Sequence, residues 1–598
     1  MHLFWERNIL YRIYCTFCIK QGILLIYDYI SARKDAIMIS RNSYVISKAL
    51  KNFLSASIMT SLAGQLAVTT DAVIVSNMIG PDALSAINMV IPLTLLFSCA
   101  SILIGLGASV LAAKAIGDHN KELIDRIFTT AMILLAIAGV AVSGITYACS
   151  SEIAETLCDN ARIAPLALEY TEVIAAGAIF LIISNGINYF VSTDGCPGLV
   201  TRGVIAGAIA NIVLDIILVK FMGIAGSAWA TVINYIITLL TVSSHFFRKS
   251  SSYHLVNPLK GIAGNIVRNL YEGLPLMLGN LLLGGAVFII NSMILDTAGA
   301  DGVYIWAVCL QVLMLTFVVL NGMGNAMLSI GGVLAGEKDY NGIRILTTLS
   351  LRLVVAVLAI FVLSVMLFPE VPAYTFGADG APASIDTNTP LRIFSLLLIP
   401  FAVTLVMRFL FQILEHRILS LVMSAGQLAG IVATLWAFTK LAPEGLWWSF
   451  PLSAIALILI QLTATFIIHL RKRNVSPLTL IPTETEGELS ADFSIAYSKT
   501  ATEHAVAWID GFLKQNGIAT GRIEQCKECI KGIMHKLQQE GETRKRYFDI
   551  HIRVIGEEIH AIMRDAGKRM DARHFTTDKP DTIEHRYMYG QNVLFIHI

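Results

Sequence analysis

The chain has 598 residues, 55% of them from the set AVILMFWYC and only 15% charged, with a mean hydropathy of +0.67; soluble domains carry about 25% charged residues, so a single soluble globule is excluded. Its 44 basic and 43 acidic residues leave a net charge of +1, and no basic stripe for nucleic acid is present. Nine cysteines, several of them (Cys99, Cys149, Cys309) inside apolar runs, make no disulfide framework.

Residues 1–45 read as a cytoplasmic extension. They include Arg7, Arg12, Lys20, Arg33 and Lys34 but no small-residue cleavage site, so they are either an amphipathic segment or sequence upstream of a start at Met38. Twelve apolar runs of about 20 residues follow, the length that crosses a hydrocarbon core of about 30 Å as helix. They begin near Leu54, Ser85, Ile127, Leu166, Gly203, Ile224, Leu274, Val303, Leu346, Ile393, Ser420 and Leu446. Odd-to-even connections carry few cations (Arg162, Lys220, Lys440). The alternate connections hold Lys121, Arg126, Arg202, Arg248, Lys249, Lys260, Arg268, Lys338, Arg344 and Arg417, and Arg471, Lys472 and Arg473 follow the last run. This asymmetry predicts a multi-pass protein of the cytoplasmic membrane with both termini in the cytoplasm.

Four glycine pairs share one offset of 219 residues: Gly80 with Gly299, Gly105 with Gly324, Gly117 with Gly336, and Gly226 with Gly445. Small residues are common at helix contacts in membranes, but a single register over four places points to an internal repeat. Six spans per repeat return the chain to the same side, so the repeats are parallel. The expected fold is all-α and polytopic, with a six-helix lobe over 46–255 and a second over 256–472, related by a pseudo-twofold axis.

Ionisable residues inside the membrane are costly and mark function by default. Asp71 lies in the first run and Asp215 in the fifth. Asn211 precedes Asp215 by one helical turn, and Thr231 opens the sixth run. The bland alternative has Asp215 bonding backbone, Thr231 bonding within its own helix and Asp71 near the interface. At +219 the equivalents are Ile290, Gly430, Thr434 and Phe450, so the acids exist in one half only, whereas a purely architectural role would have been duplicated. Glu272, in YEGLP, and Arg408, in LVMRFLF, read as interfacial residues, with Arg408 snorkelling to the headgroups.

The stretch from about Ala49 to Leu470 resembles the multidrug and toxic compound extrusion (MATE) family, through GPDALSA with the following Pro92 and through NIVLD followed by GIAGSAWAT. The first lobe carries most of the likeness. The resemblance implies a secondary antiporter rather than an enzyme, one that needs no cofactor. It would export organic, cationic or amphipathic small molecules by alternating access. Entry of H⁺ or Na⁺ would drive it, the cation held by Asp71, Asn211, Asp215 and Thr231. Those residue types serve either ion, so the choice stays open.

After Arg473 the composition changes. Pro477, Pro482, Glu484, Glu486 and Glu488 mark a linker over 473–491, and 492–598 reads as a cytoplasmic domain. FSIAYS, RYFDIHIRVI, EEIHAIMRD and NVLFIHI have strand patterns, and Thr500–Asn516 and Gly521–Glu540 have helical period. Helices on one face of a mixed or antiparallel sheet give an α/β two-layer sandwich. The piece around EEIHAIMRDAGKRMD, with the preceding EQCKECIKGIMHK, resembles the ATP-binding domain of histidine kinases and anti-sigma-factor serine kinases. The resemblance implies that Asp565 and Gly567 read adenine and that Glu528 is a general base. Gly532 stands where the family places its Mg²⁺-binding Asn, and His535 falls one residue short of the family histidine, so a regulatory ATP-binding-like fold, with a cytoplasmic partner, is expected before a catalyst. CKEC (Cys526, Cys529) and CTFC (Cys15, Cys18) have thiolate spacing, but both lie in helical patterns, so no metal site is expected. The rival reading of the whole chain is a membrane-anchored sensor or kinase that signals through this tail.

Overall fold

The computed structural model describes residues 41–157, 162–248, 251–257, 262–372, 386–483, 488–496, 498–539, 547–567, 569 and 583–598. The extension up to residue 40, with Cys15 and Cys18, lies outside them, as do Lys249 and Lys260.

Among the described residues twelve helices are long and apolar enough to cross a membrane. In chain order they are α1 (Tyr44–Met78), α2 (Asp82–Gly117), α3 (Lys121–Ala148), α4 (Ala164–Thr193), α5 (Pro197–Met222), α6 (Ile224–Ser243), α7 (Gly264–Gly299), α8 (Asp301–Gly336), α9 (Tyr340–Leu367), α10 (Asn388–Ile413), α11 (Arg417–Leu441) and α12 (Pro443–Arg471). The first helix starts ten residues before the expected Leu54, because Ile46, Ala49 and Leu50 do not meet solvent. They join a core that includes Met588 and Tyr589 from the far end of the chain. A sliding apolar window reads lipid-facing length and misses a helix end covered by protein.

The helix ends repeat at the same offset as the glycines. Gly80 (φ 126°) and Gly299 (φ 66°) make the α1–α2 and α7–α8 turns in backbone regions open to residues without a Cβ. His119 (φ 55°) and Lys338 (φ 56°) turn the chain after α2 and α8. Asn120 and Asp339 then cap α3 and α9, accepting from the Leu123 and Gly342 amides at 3.0 and 2.7 Å. A π-turn at Ile102–Leu106 and Pro92 interrupt α2, and Pro275 interrupts α7.

The tail is a five-stranded sheet of β1 (Glu488–Ala496), β2 (Tyr547–Ile555), β3 (Glu558–Asp565), β4 (Ile583–Met588) and β5 (Gln591–His597), ordered β1-β2-β3-β5-β4. Every neighbouring pair is antiparallel. Helices α13 (Lys499–Gln515) and α14 (Thr520–Gln539) cover one face, where Phe493, Ile550, Ile552, Met563 and Leu594 pack on Ile509, Leu513, Cys526 and Ile530. Strand β4 has no counterpart among the expected strands: IEHRYM lacks apolar alternation, and its register comes from the Tyr589–Gly590 turn onto β5. The opposite sheet face carries Asp492, Asp549, His551, Arg553 and Arg564. Part of the stretch expected as linker is an ordered turn, with Val475 bridged to Pro482 and with Leu480 and Ile481 fully buried in the membrane-region core.

Candidate functional site

Asp71 sits 27 residues along α1, roughly 40 Å of helix from the end that meets the tail. It is 8% exposed; Asp215 is 0% exposed and Asn211 is 2% exposed, both on α5. The Ser227 hydroxyl, at the start of α6, donates to Asp71 Oδ1 at 2.5 Å. The Asp215 carboxyl group lies close enough to that of Asp71 for the two charges to interact. Tyr170 on α4 lies near Thr231 and within electrostatic range of both acids. Four helices of the first half therefore converge on one pocket, bringing together Asp71, Asp215 and Thr231, with Asn211 one turn from Asp215.

Neither carboxylate oxygen of Asp215 is reached by an N–H or O–H donor, and Asn211 Nδ2 also lacks a partner among the described residues. Two neighbouring buried carboxylates cannot both stay ionised and bare. A shared proton or a small hard cation among the oxygens of Asp71, Asp215, Thr231 and Ser227 relieves the charge, and this oxygen-rich donor set fits either. Ser227 was missed in the sequence although it lies one helical turn before Thr231. Tyr170 carried no signal, since nothing local shows which helix faces the acids.

In the second half the corresponding place is closed by apolar packing. Ile290 is buried, the Thr434 hydroxyl donates to backbone carbonyls of Gly430 and Ser449, and Phe450 stacks on Trp306 at 5.1 Å and 14°.

Glu272 and Arg408 are not the lipid-interface residues expected from sequence. Glu272 is fully buried and accepts from Gln412 Nε2 at 2.9 Å, from Lys114 of α2 at 3.5 Å and from Arg417. It thus ties the two halves together at the tail end of the bundle. Arg408 turns inward, donating to Ser424 Oγ at 3.2 Å and lying over the Phe409 ring, because α11 offers a hydroxyl there. Gly117 and Gly336 meet at the same end, where a Cβ on either would invade the backbone of the other helix. A polar cavity of about 190 Å³ lies between the halves, lined by Ser57, Thr60, Asn188, Asn325 and Ser329 among others.

The polar face of the tail sheet sits on this end and touches both halves. Arg41, before α1, reaches Asp339 at 2.6 Å and Asp492 and Asp549 at 3.4 Å. Arg564 binds Glu337, and Asp339 at 3.2 Å. The Tyr589 hydroxyl donates to Thr193 O at 2.7 Å, and its amide to Gly195 O at 3.3 Å. Asp339, Asp492 and His551 cluster closely enough to ligate an ion, but the Arg41 guanidinium already supplies the positive charge among them. Burial pushes Asp549 up to about 6 against the pull of Arg41. His551 is raised because Asp492, at 2.6 Å, outweighs its burial.

The proposed nucleotide residues are not assembled. Asp565 is buried at the end of β3, accepting from Asn592 Nδ2 at 3.2 Å, and Gly567 is buried just beyond. The carbonyl between them, on Ala566, takes Lys48 of α1. Glu528 is exposed on the side of α14 away from Cys526 and Ile530, which face the sheet, so the helix itself separates it from Asp565. The 3.6-residue period of the helix places Glu528 there.

The MatE family profile matches residues 56–217 and again 275–436, two stretches of equal length separated by the same 219-residue offset. The multidrug export protein MepA of Staphylococcus saprophyticus subsp. saprophyticus is 26% identical over 216 residues, 35% of this chain and 47% of that relative. The probable multidrug resistance protein YoeA of Bacillus subtilis is 25% identical over 215 residues, 35% and 44% of the two chains. The aligned stretch spans about half the length of these relatives. Among solved structures, an outward-facing multidrug resistance MATE family transporter of the MOP superfamily superposes with a TM-score of 0.64 at 23% identity, covering 69% of this chain and 93% of that one. A MOP superfamily transporter from Pyrococcus furiosus gives 0.64 at 23%, covering 71% and 96%. Twelve membrane helices of this fold and a family profile matched twice, over more than half of the sequence, make the chain a member of the MATE transporter family.

Proposed function

We propose that the chain is a cation-coupled antiporter exporting organic solutes across the cytoplasmic membrane. The observation that carries this reading is the buried pair Asp71–Asp215, confined to one half and matched by aromatic packing in the other. The names of the relatives, a multidrug export protein and a probable multidrug resistance protein, support export of amphipathic drugs as the cargo class. In this reading α1–α6 and α7–α12 are two lobes that rock against each other. H⁺ or Na⁺ enters the acidic pocket from the outer side, neutralises it and biases the lobes toward inward opening. One elementary charge moving through 100 mV supplies about 2.3 kcal/mol, enough for roughly fiftyfold export.

Both termini lie on the cytoplasmic side in this reading, and the tail acts as a regulatory module. Its docking on both halves favours control of the transporter over the sensor alternative, and Glu528 facing away from Asp565 weighs against phosphoryl transfer. The test is export of a fluorescent cation from energised vesicles. Asp71→Asn and Asp215→Asn should insert normally and lose pH- or Na⁺-driven export. Undiminished export by both variants would overturn the proposal.

A further inference from the structure

The tail end of the bundle holds a second, larger cavity of about 910 Å³, lined by none of the residues of the Asp71–Asp215 pocket. Its walls come from separate segments: Lys114 and Asp118 at the end of α2, Arg268 on α7, Glu415 and His416 after α10, and Arg471, Lys472 and Arg473 at the end of α12. The ordered turn through Val475, Leu480 and Pro482 closes one side. Five permanent cations thus face two carboxylates. Lys114 is occupied by Glu272 and Glu415. Arg268, Arg471, Lys472 and Arg473 have no carboxylate within ion-pairing distance among the described residues, and burial together with Lys472 lowers the His416 pKa, disfavouring a further charge there. A bias of cations toward the cytoplasmic side explains their presence in this region. It does not explain why three segments aim them into one concavity walled by a buried turn.

We propose that this cavity binds a phosphate-bearing anion, either the headgroup of an anionic phospholipid or a soluble phosphate ester. Converging Lys and Arg side chains at the cytoplasmic edge of membrane helices suit such a group. Its charge would relieve the repulsion among the four unpaired cations. Because the cavity joins α2, α7, α12 and the turn leading into the tail, occupancy would bind both halves and the tail base into one unit.

The test uses the full chain in nanodiscs of phosphatidylglycerol or of phosphatidylcholine, then native mass spectrometry for retained lipid. A parallel arm measures Tm against inorganic pyrophosphate. Retention of phosphatidylglycerol that falls at least roughly tenfold in R471Q/K472Q/R473Q assigns the lipid source. A saturable rise in Tm with pyrophosphate that the same variant loses assigns the soluble source. Lys51→Gln with Lys121→Gln, which neutralises exposed cations outside the cavity, should behave as the wild type. Arg268→Gln, a single change on the facing wall, covers a failure of the triple variant to fold. No binding in either arm, or equal losses in the Lys51/Lys121 control, would overturn the proposal.

Discussion

Among the described residues Asp215 has no donor of its own, so its stability depends on whatever occupies the space beside Asp71. Asp215→Asn should therefore abolish coupled export without loss of expression, because the amide removes a charge that costs free energy when bare. Ser227→Ala is gentler: it deletes one hydrogen bond to a carboxylate, worth about 1.5–3 kcal/mol. It should shift half-saturation for the coupling ion by roughly tenfold or more, measured as dye export against pH or Na⁺, while maximal export survives. These acids were legible because a carboxylate in an apolar run is conspicuous, and Tyr170 was not, because its role depends on helix packing. A second residue-scale expectation concerns His245, just beyond α6. Burial disfavours its charge, but the hydrogen bond to Asp194, at 2.6 Å, and the charge of that carboxylate prevail and raise its pKa to about 9. A raised folded pKa gives stability that is complete below about 6.5 and lost as pH rises through about 9. The Tm of the wild type should fall across that window, and His245→Gln should lower Tm near neutral pH, by the equivalent of about 2 kcal/mol, and flatten the fall.

Helices were easier to locate than their ends. Apolar runs fix where a helix crosses lipid, but the start of α1 and the burial of Leu480 and Ile481 depend on protein covering them, which no local window reports. The repeat was readable because glycines, unlike most side chains, hold their place where two backbones touch. Gly336 and Gly117 form such a contact: a methyl on Gly336 would invade the Lys114 carbonyl, and one on Gly117 the Val333 carbonyl. These are backbone atoms that cannot rotate away, so α2 and α8 must part at this end. Gly336→Ala should raise the labelling rate of a cysteine placed at Ala113, which packs against Gly332, several-fold over the same cysteine in the wild-type background. An unchanged rate would mean that the helices slide without separating. In the tail, β4 escaped notice because its pairing is dictated by the turn to β5 rather than by its own composition.

At the scale of the whole molecule, sequence revealed two halves, one acidic pocket and an appended tail, but not that the tail rests on both halves. That contact is made by charged residues scattered between Arg41 and Arg564, a separation no pattern search spans. Its consequence follows from the burial of the groups involved. Glu337 and Asp339, from the second half, are fully buried against Arg564 of the tail and Arg41 ahead of the first half. Removing one partner of such a network leaves a buried charge and costs about 3–5 kcal/mol. In the proposed transport cycle, opening at the tail end would separate α2 from α8 and, with the tail docked, would also break or drag these contacts, so docking would add to the stability of the end-closed state. Arg564→Ala should loosen the tail and shift the two-state balance toward opening, by up to about tenfold for each 1.4 kcal/mol released. Spin labels at Lys121 and Arg344, near the N-terminal ends of α3 and α9, should then show a longer-distance population that is minor in the wild type. An identical distance distribution, together with increased proteolysis of the tail, would mean that the tail rides on one half and leaves the gate alone.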